Sequence, residues 1–177
     1  MKYFPYENYS VKTNLSVDQI VGRLHAVIET EEQPQFPFYK RKTAKPYYGV
    51  IDGNTFKITR IINYRNSFLP QITGTIEENY KDNSVHIKMK LHTFVIIFML
   101  FWLGFVFTIC TGIIYAMINH LDHDTEKFNF FNFFPTLIPF GMLIFGYLLM
   151  TLPFKYESKK AKEFLNTVLE ADDFQNK

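Results

Sequence analysis

The sequence predicts an α+β fold, an antiparallel β-meander with an N-terminal and a C-terminal helix, interrupted by a two-helix transmembrane hairpin. Three observations predict it. Two long runs carry no Asp, Glu, Lys, Arg or His: 26 residues from Thr93 to Ile118 and 22 from Phe133 to Phe154. Between Tyr47 and Leu91 apolar and polar residues alternate at the period of a pleated strand, punctuated by turn residues. On either side of that alternation, at 17–28 and 161–169, apolar residues recur at helical spacing instead.

The first element is YSVKTNL, a short strand, followed by SVDQIVGRLHAVIE as an amphipathic helix. Ser16 and Gln19 have capping-box spacing, and Val17, Ile20, Val21, Leu24, Val27 and Ile28 form one core-facing stripe. A polar loop with Pro34 and Pro37 leads to four strands, YYGVI, TFKITRIINY, QITGTIEENY and SVHIKMKL. Asp52 and Gly53 are a preferred tight-hairpin pair, RNSFL makes the middle connection, and Asp82 with Asn83 serves the last hairpin. If Tyr64 pairs with Pro70, then Ile62 lies opposite Ile72, Arg60 opposite Gly74 and Ile58 opposite Ile76, while Ile76 meets Met89 and Tyr80 meets Val85.

The two charge-free runs reach about 39 and 33 Å as helices, against a hydrocarbon core of about 30 Å. Core helices of a small soluble protein rarely run so far without a charge. The expected organisation is therefore an α+β cytoplasmic domain over 1–92, transmembrane helices over 93–118 and 133–154, a connector over 119–132, and an amphipathic helix over 155–177 that packs back on the first domain. Ala161, Phe164, Leu165, Val168 and Leu169 supply its apolar stripe. Lys81, Lys88 and Lys90 precede the first span and Lys155, Lys159, Lys160 and Lys162 follow the second, whereas the connector holds Lys127 alone. Positive residues are retained inside, so both termini are expected in the cytoplasm of a multi-pass protein of the cell inner membrane. Without acidic, basic or histidine side chains the spans read as anchors rather than a conduction path. Gly104, Gly112, Gly141 and Gly146 leave room for helix contact, Pro135 and Pro139 fall in opening turns, and the single cysteine, Cys110, sits within the first span.

Residues 1–92 hold thirteen Lys plus Arg against nine Asp plus Glu, so the basic character lies outside the spans. The densest cluster, Lys40, Arg41, Lys42 and Lys45 among Phe36, Phe38, Tyr39, Tyr47 and Tyr48, is a candidate membrane-surface patch for anionic lipid, with a solvated loop as the plainer alternative. No nucleic-acid-binding motif accompanies the charge, so nucleic acid is not an expected partner. Arg60 is the odd residue of the strands, a permanent charge on a face of isoleucines. Either it snorkels or pairs with Glu78 or another carboxylate, or it forms an anion site above Gly74 with help from Arg65 and Asn66. A turn has an equal claim on Asn66.

The inventory holds no phosphate loop, no nucleophile elbow and no cysteine with a plausible base, so no catalytic residue and no cofactor is expected. His120, Asp122, His123 and Asp124 have donor atoms for a metal, but without a second shell no metal site is expected there.

Strand, helix, meander and closing helix loosely resemble the START-like helix-grip fold, which implies a groove between sheet and helix that holds lipids or apolar molecules. Gly49, Phe56, Arg60, the YRNSFLP run, Gly74 and the KMKLH entry into the first span resemble a group of small bacterial two-span membrane proteins. That second resemblance implies architecture and no activity. The expected function is a non-enzymatic, membrane-anchored cytoplasmic domain acting as subunit or adaptor of an inner-membrane assembly, with membrane lipids and another membrane protein or a second copy as partners. The alternative is a sensor binding a lipid or small anionic ligand between sheet and C-terminal helix.

Overall fold

A computed structural model of the chain describes residues 4–30, 44–80, 82–121, 134–171 and 173–176. The chain divides into two compact units, Met1–His92 with Pro153–Lys177, and Thr93–Leu152.

The first unit is α+β. Its strands are β1 (Tyr6–Thr13), β2 (Ile28–Glu29), β3 (Tyr47–Asp52), β4 (Thr55–Arg60), β5 (Gln71–Glu77), β6 (Asn83–Lys90) and β7 (Asp173–Asn176), joined in the order β2-β3-β4-β5-β6-β1-β7. All pairs are antiparallel except β2 with β3, so the sheet is mixed. Period-2 alternation sets the faces: Tyr9, Val11, Val85, Ile87, Met89, Ile72, Ile76, Phe56 and Ile58 are buried on one side. Their neighbours Lys12, Lys57, Thr75, Lys88 and Lys90 are exposed on the other.

Helix α1 (Val17–Val27) starts where the capping box puts it. The Gln19 amide donates to Ser16 Oγ at 3.3 Å, and the Ser16 amide donates to Gln19 Oε1 at 2.9 Å. Ile20, Leu24 and Ile28 are fully buried, the i, i+4, i+8 line of the expected stripe. The helix ends as Ile28 turns extended and enters β2. Lys45 Nζ donates to the carbonyls of His25 and Ile28, at 3.0 and 2.9 Å, meeting acceptors that the helix end leaves open.

The expected strand register is displaced. Ile58 pairs with Ile72 rather than Ile76, Gly74 with Phe56 rather than Arg60, and Ile76 with Val85 rather than Met89. Each shift is four residues. An even shift leaves every side chain on its expected face, which is why alternation could not detect it. Packing selects the observed register: the Phe56 ring lies over Gly74, where any Cβ would collide with it. The remaining chain, residues 61–70, forms a ten-residue connection in place of the expected five residues RNSFL. Asn66 Oδ1 accepts the Phe68 amide there at 2.9 Å. In the first hairpin the turn falls on Gly53 and Asn54 rather than Asp52 and Gly53, and Gly53 takes a φ of 51°. In the last, Asp82–Asn83 is not a two-residue turn. The pairing of β5 with β6 stops at Glu77 and Ser84, and Asn83 Oδ1 accepts the Asn79 amide.

A short 3₁₀ turn (Phe134–Leu137) precedes α3 (Ile138–Leu169), so most of the second apolar run and the amphipathic segment as far as Leu169 are one helix with Pro153 inside it; the helix expected to continue to 177 stops there, and Asp173–Asn176 pair with β1 as β7 instead. Within the first unit Phe154, Glu157, Ser158, Ala161, Leu165 and Leu169 are its buried stripe. The second unit comprises α2 (Thr93–Leu121) and the first part of α3. Both helices are long and apolar enough to cross a membrane, and only 17% of each spanning window is buried within the chain, where a soluble core helix is mostly buried. Trp102 packs onto Gly146, while Gly104, Gly112 and Gly141 have open space. Thr108 and Thr151 hydroxyls donate to Gly104 and Tyr147 carbonyls four residues back, which satisfies them within the helix. Cys110 is buried.

The Phe56–Gly74 contact generates a prediction. Gly74→Val should destabilise the first unit by about 1–3 kcal/mol through overpacking, and Phe56→Ala by about 3–5 kcal/mol through a cavity. The double variant should be less destabilised than the sum by at least about 0.5 kcal/mol, because the valine enters space vacated by the ring. Protease resistance of the full chain across a urea series measures this, and strict additivity would refute the register.

Candidate functional site

Arg60 ends β4 on the core face, two residues beyond Ile58, where the sheet gives way to the 61–70 loop. Its charge is met from α3. Arg60 Nη1 donates to Glu157 Oε2 at 2.6 Å, and the Tyr64 hydroxyl donates to Glu157 Oε1. Glu157 is 1% exposed and the Arg60 side chain 30%. Each carboxylate oxygen thus has a donor, which is what a buried charge requires. Hydrogen bonding to Glu157 holds the Tyr64 proton more tightly than usual and raises its pKa.

Beside this clamp lies an open cleft of about 390 Å³, lined by Pro46, Tyr47, Arg60, Lys160, Glu163, Phe164 and Thr167. Tyr47 is opposite Arg60 in the ladder, and its ring packs on Phe164 with centroids 4.9 Å apart. Burial pushes the Tyr47 pKa up to about 12, with Arg60 opposing the shift and Glu157 adding to it. The volume suits a small molecule, and the wall offers two cations, one carboxylate and an aromatic pair.

A second polar group joins β1 to the same helix. Lys162 Nζ pairs with Glu7 Oε2 and lies 4.8 Å from the centroid of the Tyr9 ring, and Ser158 Oγ donates to Glu7 Oε1 at 3.4 Å. The Tyr9 hydroxyl and Asn166 Oδ1 are buried with no hydrogen-bond partner among the described residues. Burial, helped by Glu7 and Tyr47, raises the Tyr9 pKa. On the outer face, Ser10 Oγ is 2.6 Å from His86 Nδ1, and His86 Nε2 is 3.0 Å from Glu77 Oε2. The three side chains share the atoms of a catalytic triad. Ser10, however, sits mid-strand, paired to both β6 and β7, so the backbone amides that would form an oxyanion hole belong to a sheet ladder.

The structure does not gather the expected anion-site residues. Arg60 is bound to Glu157 rather than Glu78, Arg65 is exposed, Asn66 serves its own turn, and Phe56 fills the space above Gly74. Of the membrane-surface cluster, Lys45 caps carbonyls near the end of α1, and Lys40, Arg41 and Lys42 lie outside the described residues. The side chains of His120, Asp122, His123 and Asp124 also lie outside them, and among the described residues no group of three metal-binding side chains assembles. Glu157 was invisible to sequence reasoning because it is 97 residues from Arg60. The available signal was an acid inside the apolar stripe of a helix. No family model, curated protein or solved structure matches the chain.

Two predictions follow from the clamp and its neighbour. Arg60→Met strands a buried carboxylate and should cost about 3 kcal/mol, near the low end for such pairs because the guanidinium is partly exposed. Combining it with Glu157→Leu should restore most of that loss in urea unfolding of the full chain, and a double variant no better than Arg60→Met would show that the charge pair is not the cause. For Tyr47, the folded pKa of about 12 lies above the ordinary value of 10, so the neutral ring's contribution is complete below pH 10 and lost as pH rises towards 12. That loss should amount to about 2–3 kcal/mol. Tyr47→Phe should flatten the fall in stability between these pH values, and an unchanged slope would contradict the assignment.

Proposed function

We propose that this protein is a membrane-anchored, non-enzymatic module in which α2 and the first part of α3 cross the bilayer as a hairpin and the α+β unit serves a larger membrane assembly as subunit or adaptor. The observation that carries the reading is the pair of long apolar helices whose surfaces stay largely uncovered within the chain. Uncovered apolar surface on that scale needs lipid or another protein against it. The lysines flanking the helices favour both termini inside the cytoplasm, at the inner membrane of a bacterial cell. The inward commitment of Arg60 to Glu157 and Tyr64 favours a structural role for the most conspicuous charge of the sheet.

A second reading has one specific observation in its favour. The cleft beside Tyr47 and Phe164 places Lys160 and the flank of Arg60 next to an aromatic wall, a setting that suits a small anionic ligand or a lipid headgroup.

One preparation tests both. The full chain purified in mild detergent and analysed by native mass spectrometry should retain a protein partner or a second copy under the adaptor reading. A stoichiometric small molecule lost in Lys160→Gln would favour the ligand reading instead, because that change removes the cleft's lysine and leaves the Arg60–Glu157 clamp intact. Topology is checked in intact cells: with Asp124→Cys reactive towards an impermeant thiol reagent and Asn176→Cys protected, the hairpin stands, and the reverse pattern would sink it.

A further inference from the structure

The strand register sorts the first unit's exposed side chains between the two ends of the sheet, and the ends differ in chemistry. At the end where β6 hands the chain to α2, one cross-strand row on the outer face reads Tyr6, Lys90, Gln71, Thr59, Tyr48, Glu29, with its one carboxylate half-buried on β2, four strands away from Lys90. The next row reads Asn8, Lys88, Thr73, Lys57, Val50. Phe4 is 65% exposed and Tyr64 54%, and both belong to segments that leave this same end, as does the exposed Arg65. Among the described residues Lys57, Lys88 and Lys90 enter no ion pair. The opposite end presents Asp18, Asp52, Glu77 and Glu78 as exposed carboxylates, with Lys12 the exposed lysine among the described residues there.

We propose that the basic, aromatic end of the sheet is a lipid-facing rim that binds the phosphate headgroups of an anionic leaflet. This rests on the membrane-anchored reading and adds to it the surface through which the α+β unit meets the bilayer. Lys88 and Lys90 are two residues apart on one face, about 7 Å, and Lys57 lies one strand beyond the intervening Thr73. Three unpaired ammonium groups this close repel one another, and a sheet of phosphates offsets that repulsion. Lys90 is three residues from Thr93, where α2 begins, which is at most about 10 Å of chain. That is about one Debye length at 0.1 M salt, so a leaflet crossed by α2 lies within electrostatic reach of this lysine. Tyrosine and phenylalanine at the rim favour the headgroup level, where a ring meets acyl chains on one side and water on the other. An acidic protein would answer the lysines equally, but it gives no reason for the exposed Phe4 and Tyr6 to stand at the same end of the sheet as the lysines.

The test uses the full chain reconstituted in phospholipid vesicles, with a fluorophore on Phe4→Cys at the rim or on Tyr80→Cys at the opposite end, Cys110 being buried. A nitroxide on the lipid headgroup is the quencher. Quenching at Phe4→Cys should exceed that at Tyr80→Cys, increase when phosphatidylglycerol replaces part of the phosphatidylcholine, and decline as salt is raised. It should also decline when Lys57, Lys88 and Lys90 are all changed to glutamine. Equal quenching at the two positions overturns the rim while the membrane reading stands, provided the chain resists alkaline carbonate extraction. Rim quenching that ignores lipid charge, salt and the lysine changes overturns headgroup recognition. Release of the chain by carbonate overturns the membrane reading and the rim with it.

Discussion

The α+β unit depends on a carboxylate placed where an apolar residue would be expected. Glu157 lies in the buried stripe of α3 between Phe154 and Ala161, and a charge there is tolerable only while both oxygens are met. Arg60 and Tyr64 meet them, one from the last residue of β4 and the other from the loop that follows. A buried pair of this kind adds little net stability compared with a well-packed apolar replacement, but its loss on one side is costly. Its effect is therefore on specificity. Turning α3 by one residue, about 100°, would carry Glu157 away from Arg60 and bring Tyr156 or Ser158 towards it, so the pair fixes the helix's rotation on the sheet.

Two further attachments fix the rest of the helix, each through a different element. Lys162 pairs with Glu7 of β1 near the middle, and Arg23 of α1 donates to the Val168 carbonyl and pairs with Glu170 at the C-terminal end. A guanidinium at that end also complements the negative pole of the helix dipole. Between these polar points, Ala161, Leu165 and Leu169 supply the burial and Tyr47 stacks on Phe164. The cleft beside Tyr47 follows from this geometry, since its wall is built from residues of the clamp's own neighbourhood.

What the sequence discloses about this fold divides by physical range. The capping box at Ser16, the stripe through Ile20 and Leu24 and the burial alternation of the strands are local, and a reader of the chain finds them in place. Strand pairing is not local. Alternation constrains register modulo two, so a four-residue displacement satisfies it, and the deciding contact, Phe56 over Gly74, is a match of shapes that no period encodes. The site fails for the same reason. Arg60 announces a charge on an apolar face, but Glu157 lies beyond two long apolar helices, and Glu78, nearer in sequence, is an exposed loop residue. Lys45 shows the converse error: a basic cluster reads as surface, while one of its members is committed to backbone carbonyls.

The division of the first unit between two ends of the chain has a consequence for how it can form. The core face of the sheet, including Tyr9, Tyr47, Ile58, Ile72, Ile87 and Met89, is made from residues that precede α2, and its cover from residues that follow Pro153. During synthesis α1 is the helix available to that face until the whole of Thr93–Leu152 has emerged, so the apolar side of the sheet waits longest for its partner. Arg60 waits with it, and gives up part of its hydration only as Glu157 arrives with the closing helix. The clamp therefore forms together with burial of the core rather than before it, and the unit reaches its final packing only after the apolar helix pair is in existence.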